Sequence, residues 1–250
     1  MRNRIATLIV LVASFWSQGQ EINDSLQDTS LKFKPAALIL PAGMITYGIM
    51  GINNDPVKRW DREIRESLEP DGIKTNIDDY SRFAPIAAVY GLNLAGIEGK
   101  HQFWDRTLIL GTSTLLMYSS VNLIKNNTSI RRPSGRSLSS FPSGHTAIAF
   151  MGAEFMHQEF KHLSAWYSVG AYSVAALSGF LRVYNDKHWF SDVVAGAGIG
   201  ILCTKIGYWV YPMLKSIIFK KEKMNTSQAS LSFTPFYNGR ELMLGTGIIF

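Results

Sequence analysis

Apolar residues gather into six blocks, at about 35–52, 83–97, 106–124, 145–157, 165–182 and 190–217, each long enough for a helix and too long for a typical strand. The pattern predicts an all-α body, a helical bundle of about six helices. Pro35 and Pro85 stand where a first helical turn tolerates proline, whereas Pro41 and Pro212 fall inside blocks and predict a kink or break. Between the first two blocks, residues 57–68 (VKRWDREIRESL) set Trp60, Ile64 and Leu68 on one helical stripe against Lys58, Arg59, Arg62 and Arg65. Such a stripe suits a helix resting on a membrane surface, and equally a short surface helix lying over the bundle.

The two ends read differently. Arg2 and Arg4 precede an apolar run from Ile5 to Trp16 and then small and polar residues, the form of a signal peptide over 1–19. The run is short for a bilayer span, which leaves an uncleaved anchor as the lesser alternative. Residues 20–34 form a polar lead-in, 35–220 the helical domain, and 221–250 an extension. Within that extension Asn238-Gly239 is a strong turn signal, predicting a C-terminal β-hairpin over part of the helical body, with Phe233 opposite Leu244 and Pro235 opposite Leu242. A terminal Phe250 also ends many outer-membrane barrel strands, but one hairpin closes no barrel.

Composition narrows the class. Over 250 residues, 46% apolar and 18% charged exclude a disordered tail, a collagen and a small disulfide scaffold, and leave one domain with a complete core. Cys203 is the single cysteine and sits in an apolar block, so it reads as a small buried hydrophobe. The net charge of +6 is unevenly placed: no Asp or Glu occurs from Arg106 to Ala153, while Arg106, Lys125, Arg131, Arg132 and Arg136 all lie there. That stretch attracts anions.

Three clusters stand at the ends of predicted helices: Lys125-x6-Arg132-Pro133, then Pro142-Ser143-Gly144-His145, then Arg182-x5-His188-x3-Asp192. Singly, each has a dull explanation in caps, dipole partners and solvated charges. His101 and Asp105, also four apart but with no arginine at the third cluster's spacing, read as structural. Together and in this order the clusters are specific, and over about residues 83–217 the chain resembles the type 2 phosphatidic acid phosphatase and vanadium haloperoxidase superfamily. The resemblance implies a helical bundle whose active site is assembled from three loops. The family's third motif usually begins Ser-Arg; here Leu181 precedes Arg182, and Ser178 or Ser143 is the nearest substitute hydroxyl.

The residue types support that chemistry. Attack on a phosphate monoester needs cations and amide N–H groups to neutralise the equatorial oxygens. Lys125, Arg132 and Arg182 supply the charge, and Ser143 and Gly144 at a helix N-terminus supply an anion seat that glycine lets the backbone approach closely. One helical turn separates His188 from Asp192, so the carboxylate can hold one ring N–H and leave the other nitrogen as a nucleophile. The resemblance implies a phosphohistidine, hydrolysed by water. His145, from a separate loop, is then the acid that protonates the leaving alkoxide, with Arg131 an outer charge. No cofactor is expected, and neither HExxH nor a clustered Cys/His set marks a metal site.

The expected enzyme is a metal-independent phosphatase outside the cytoplasm, acting on a phosphomonoester or pyrophosphate of a lipid. Phosphatidic acid, phosphatidylglycerol phosphate, undecaprenyl pyrophosphate and lipid A all suit it. A secreted acid phosphatase for soluble esters, a vanadium-dependent haloperoxidase and an inactive scaffold are the alternatives. The expected partners are a phosphorylated lipid or small phosphoester and a membrane surface, with no nucleic acid; the sequence sets no oligomeric state. Because 145–157 is short for a span and contains Glu154, the sequence favours a periplasmic bundle resting on the membrane over an integral membrane protein.

Overall fold

The structure, a computed structural model, describes residues 35–68, 74–225, 230–237 and 242–249. The signal region and the whole lead-in, residues 1–34, lie outside the described residues. A 3-10 turn, Pro35–Leu38, leads into α1 (Ile39–Asn53), so the break expected at Pro41 is a change of helix type two residues before it. Then come α2 (Asp55–Ser67), the short α3 (Ile77–Ser81), α4 (Ala84–Leu94), α5 (Phe103–Asn127), α6 (Gly144–Phe160), α7 (Ala165–Tyr184) and α8 (Phe190–Asn225). All six apolar blocks are helices. Helix α8 runs on through Pro212.

Local chemistry explains the ends. Asn54 caps α2, its side-chain oxygen accepting from the Val57 N–H at 3.2 Å, with Pro56 in the first turn. Ser164 caps α7 in the same way through the Trp166 N–H.

Helix α6 is the centre of the bundle. Its residues Ala147, Ile148, Ala149, Met151, Ala153, Phe155, Met156 and Phe160 are all buried, and it packs against α4, α5, α7 and α8. A helix apolar all round has to be enclosed, which is what its neighbours do. Cys203 joins Met117, Val121, Ala147, Ile148, Met151 and Ile199 in one core cluster. The α6–α8 crossing is close: a Cβ at Gly196 would meet the Ser143 carbonyl oxygen at 2.4 Å, and one at Gly200 the Ala147 oxygen at 2.3 Å.

The shortness of 145–157 therefore has a packing origin. Helix α6 does not face a bilayer, and Glu154 is neutralised inside the bundle by Lys205 at 2.7 Å. The outer helices carry the lipid-like surface. Pro35–Asn53, Phe103–Asn127 and Phe190–Ile218 are each long and apolar enough to cross a membrane. Ile39, Leu40, Leu115, Leu123, Trp166, Leu177 and Ile217 are each at least half exposed. Three helices of this kind, with exposed apolar surface on this scale, suit a membrane better than water.

Direction fixes where the chemistry lies. The C-termini of α1, α5 and α7 and the N-termini of α6 and α8 gather at one end of the bundle. His101 lies at the other end, beside the start of α5, where Glu159 accepts from its Nδ1 at 2.7 Å and from the Tyr208 hydroxyl at 2.6 Å. Asp105 pairs there with Lys215 at 3.1 Å, so His101 and Asp105 belong to separate structural contacts.

Two antiparallel strands, β1 (Ser230–Tyr237) and β2 (Leu242–Ile249), form the C-terminal hairpin. Its register corrects the expectation: Phe233 faces Thr246, Pro235 faces Leu244 and Tyr237 faces Leu242. Four residues, 238–241, separate the strands where a two-residue turn was predicted. The shift of two keeps every residue on its original face, because the side-chain period is two.

Candidate active site

Lys125 stands in the last turn of α5, its ammonium donating to the Ser139 carbonyl at 2.8 Å. The loop that follows is folded on itself: Arg132 N–H donates to Ser137 O at 2.9 Å, and Ser140 N–H to Ile130 O at 3.0 Å. Gly135, at φ +74°, makes a turn that an L side chain would strain. This lacing brings Arg132 back toward Lys125, and each guanidinium or ammonium there feels Arg182 and Asp192.

The second cluster opens α6. Ser143 is the N-cap residue, but its N–H donates to the Asp192 carbonyl at 3.0 Å and its hydroxyl pairs with Thr146 Oγ1 at 2.9 Å. Its amide is thus engaged with α8 and is not free to seat an anion, contrary to the expectation. The free first-turn amides begin at Gly144. A Cβ at Gly144 would touch only Val121 Cγ1 at 3.6 Å, an ordinary contact; the close approach that excludes a side chain occurs at Gly196.

The third cluster winds around one carbonyl. Arg182 O accepts from the N–H groups of Lys187 at 3.0 Å and His188 at 3.2 Å, which sets Arg182 and His188 in fixed register. Asp186, between them, has φ 58°, and its carboxylate is held by Arg65 at 2.7 Å and Lys74 at 3.6 Å. His188 is 1% exposed, and its Nδ1 lies 3.7 Å from Asp192 Oδ2. The expected hydrogen bond between them is therefore an electrostatic contact. Asp192 Oδ2 instead accepts from Ser140 Oγ at 2.5 Å and from the Trp189 N–H at 2.9 Å. Burial pushes His188 down to about 4; Asp192 opposes that shift, and Arg182 and Lys125 add to it. The imidazole is neutral at ordinary pH, as an attacking nitrogen must be.

Opposite stands His145, held by a residue the motifs did not indicate. Its Nε2 lies 2.8 Å from Asp79 Oδ1. Burial, with Arg182 and Arg82, drives His145 down to about 4 despite that carboxylate. Burial pushes the Asp79 carboxyl up, but Lys187, His145 and Arg182 outweigh it and hold the group below its ordinary range.

Arg182 is gripped by both acids of α3, through Nη1 to Asp78 and to Asp79 Oδ1 at 3.2 Å. Asn185 in turn donates to Asp78 Oδ1 at 3.0 Å and to Thr75 O at 2.8 Å. Asp78, itself held by Asn185, and Asp79 thus brace Arg182 from the side of α3. Ser178, the expected substitute, is paired with Ser81 Oγ at 2.7 Å. The buried Nε groups of Arg132 and Arg182 have no acceptor among the described residues. The residues that sequence reasoning missed are thus Asp78, Asp79, Arg82 and Asn185. Arg131 lies outside the cradle, its carbonyl accepting from Trp189 Nε1 at 2.8 Å.

Cations, amides and two histidines of depressed pKa can bind a phosphate dianion, attack it from His188 and protonate its leaving group from the side of His145. The chain is similar to known proteins. The PAP2 superfamily pattern matches residues 119–216, from before Lys125 to beyond Asp192. A lipid A 1-phosphatase of Porphyromonas gingivalis is 39% identical over 143 residues, 56% of this chain and 32% of the relative. A PA-phosphatase related-family protein of Dictyostelium discoideum is 32% identical over 95 residues, 33% of this chain and 34% of the relative. The chain therefore spans about a third of the length of these curated relatives. Among solved structures, Aquifex aeolicus LpxE (TM-score 0.47, 21% identity) covers 58% of this chain and 93% of its own. The transmembrane PAP2-type phosphatidylglycerolphosphate phosphatase of Bacillus subtilis (TM-score 0.45, 21% identity) covers 76% of this chain and 99% of its own. All three clusters gather at one end of the bundle inside the matched region, and over residues 119–216 the chain is similar to the PAP2 superfamily.

Proposed function

We propose that this protein is a membrane-bound lipid phosphatase that works without a metal, through a phosphohistidine at His188. The observation that carries the reading is the convergence on one buried imidazole. His188, neutral and backed by Asp192, lies among Lys125, Arg132 and Arg182, with a second histidine, His145, held by its own carboxylate.

In this reading Arg132 and Arg182 grip the phosphate oxygens, Lys125 adds a point charge, and the first-turn amides of α6 from Gly144 onward complete the seat; Ser143 holds that turn against α8. His188 forms a P–N bond as the P–O bond to the leaving group breaks, and His145 gives that alkoxide a proton. Water, deprotonated by His145, then breaks the P–N bond and releases phosphate.

A lipid substrate is supported by three helices long enough to span and by an apolar cavity of about 290 Å³ beside the site, walled by Phe150, Phe180, Val183 and Val193. The relative acting on lipid A makes that class the first to assay.

The test is phosphate release from lipid and aryl phosphates in neutral detergent after exhaustive EDTA treatment, with quenching in alkaline SDS to trap phosphoprotein. Turnover that survives EDTA, with acid-labile phosphate on the wild type and none on His188→Ala, supports the reading. Revival only by Mg²⁺ or Zn²⁺, or bromide oxidation with peroxide and vanadate in place of phosphatase activity, defeats it.

A further inference from the structure

Helix α2 lies across the N-terminus of α8 with a cavity on either side. On one side Ile64 and Leu68 close the apolar cavity already described. On the other, Lys58 and Arg62, one turn apart, face a separate cavity of about 380 Å³ that also has Arg131, Trp189, Asp61 and Asp192 in its wall. None of the cradle residues Lys125, Arg132, His145, Arg182 or His188 lines this second space. It is a different compartment, separated from the reaction centre by Asp192.

Its electrostatics are those of an anion site. Lys58, Arg62 and Arg131 form no salt bridge among the described residues. The two acids in the wall are already engaged: Asp61 accepts from the Ser191 N–H at 2.9 Å and from Ser191 Oγ at 2.6 Å, and Asp192 Oδ2 accepts from Ser140 and Trp189. Three cationic residues from two separate parts of the chain thus line one cavity with a largely apolar wall, whose carboxylates are tied to hydroxyl and amide donors. Trp189 follows the attacking histidine directly and Asp192 backs it, so an anion held here lies within reach of the headgroup whose phosphate His188 attacks.

We propose that this cavity is a second anionic subsite, which takes a further phosphate of the same lipid molecule whose scissile phosphate lies against His188. The subsite rests on the lipid-phosphatase reading and narrows it to lipids with two phosphate groups. Guanidinium and ammonium groups bind such an anion by charge-assisted hydrogen bonds, and α2 places the apolar cavity for an acyl chain on its opposite flank.

The experiment compares the wild type with the K58Q/R62Q variant on three substrates in neutral detergent: a diphosphorylated glycolipid, its monophosphorylated counterpart and an aryl phosphate. The expected result is a KM for the diphosphorylated lipid raised about tenfold with kcat unchanged, and no change on the other two. Equal loss on all three, or no loss on any, overturns the subsite. So does a loss on the monophosphorylated lipid that appears only in vesicles containing phosphatidylglycerol, since it assigns the cations to general attraction by acidic bilayers.

Equilibrium binding to His188→Ala reads the subsite without turnover. The diphosphorylated lipid should bind about tenfold more tightly than the monophosphorylated one, and K58Q/R62Q should abolish that difference. Wild type inactive on every substrate would defeat the function proposed above, while this binding difference would still decide the subsite.

Discussion

Asp79 holds His145 more closely than Asp192 holds His188: its Oδ1 lies 2.8 Å from the ring Nε2, within hydrogen-bond range, whereas Asp192 Oδ2 stands 3.7 Å from His188 Nδ1. An ionised carboxylate there requires the proton on Nε2, which turns Nδ1 of the acid–base histidine to the substrate.

The first prediction follows from that pairing. Asp79→Asn removes the charge that favours protonated His145, so kcat on alkyl phosphates, which need their leaving group protonated, should fall roughly tenfold to a hundredfold. Aryl phosphates, with good leaving groups, should lose much less. Equal losses on both would separate Asp79 from proton transfer.

The pH profile tests both histidines. His188 must be neutral to attack, and with its pKa near 4 the acid limb of kcat/KM should lie near pH 4, well below an ordinary histidine. His145 must be protonated to act as the acid, and in the free enzyme it loses that proton above about pH 4. A phosphate dianion offsets Arg182 and Arg82, which depress His145, so its pKa rises in the complex. The basic limb of kcat should therefore lie at higher pH than the basic limb of kcat/KM. Coincident basic limbs would refute the shift.

Arg182→Lys should cost about a hundredfold in kcat/KM. One ammonium cannot meet Asp78, Asp79 and two phosphate oxygens at once. Restoration of activity by added guanidinium would tie the loss to hydrogen-bond geometry, and near-normal kinetics of the lysine variant would contradict the assignment.

Gly196→Ala addresses the scaffold. The added Cβ would stand 2.4 Å from the Ser143 carbonyl and must push α6 from α8, at a cost of about 1–3 kcal/mol. Thermal inactivation should move to lower temperature, and activity should fall because His145 and Asp192 ride on those two helices. Gly144→Ala, with only Val121 nearby at 3.6 Å, should leave thermal inactivation almost unchanged.

The contrast between what the sequence revealed and what it hid has a physical basis. Helices were legible because apolar runs of such length have one economical local structure, and the three clusters because each is continuous in sequence. Asp78 and Asp79 were hidden because α3 is five residues long with no apolar period, and Arg182, which they hold, is over a hundred residues away. Asp61, bound to Ser191 across 130 residues, was unreadable for the same reason. The engagement of the Ser143 amide depends on the approach of α8 to α6, which no local pattern encodes. The hairpin's alternation identified its faces, but a turn dipeptide did not fix which residues faced each other.

The pinning of Asp186 by Arg65 bears on how such a domain could be transplanted. Arg65, Lys74, Asp78 and Asp79 all precede the stretch that matches the superfamily pattern, yet they hold the loop before His188, Arg182 and His145. A chimera that carried only residues 119–216 into another bundle would bring every motif residue and leave its braces behind. Asp186, at φ 58°, would keep an uncommon backbone shape with neither cation to stabilise it. The unit of inheritance for this chemistry is therefore longer than its signature, beginning at α2.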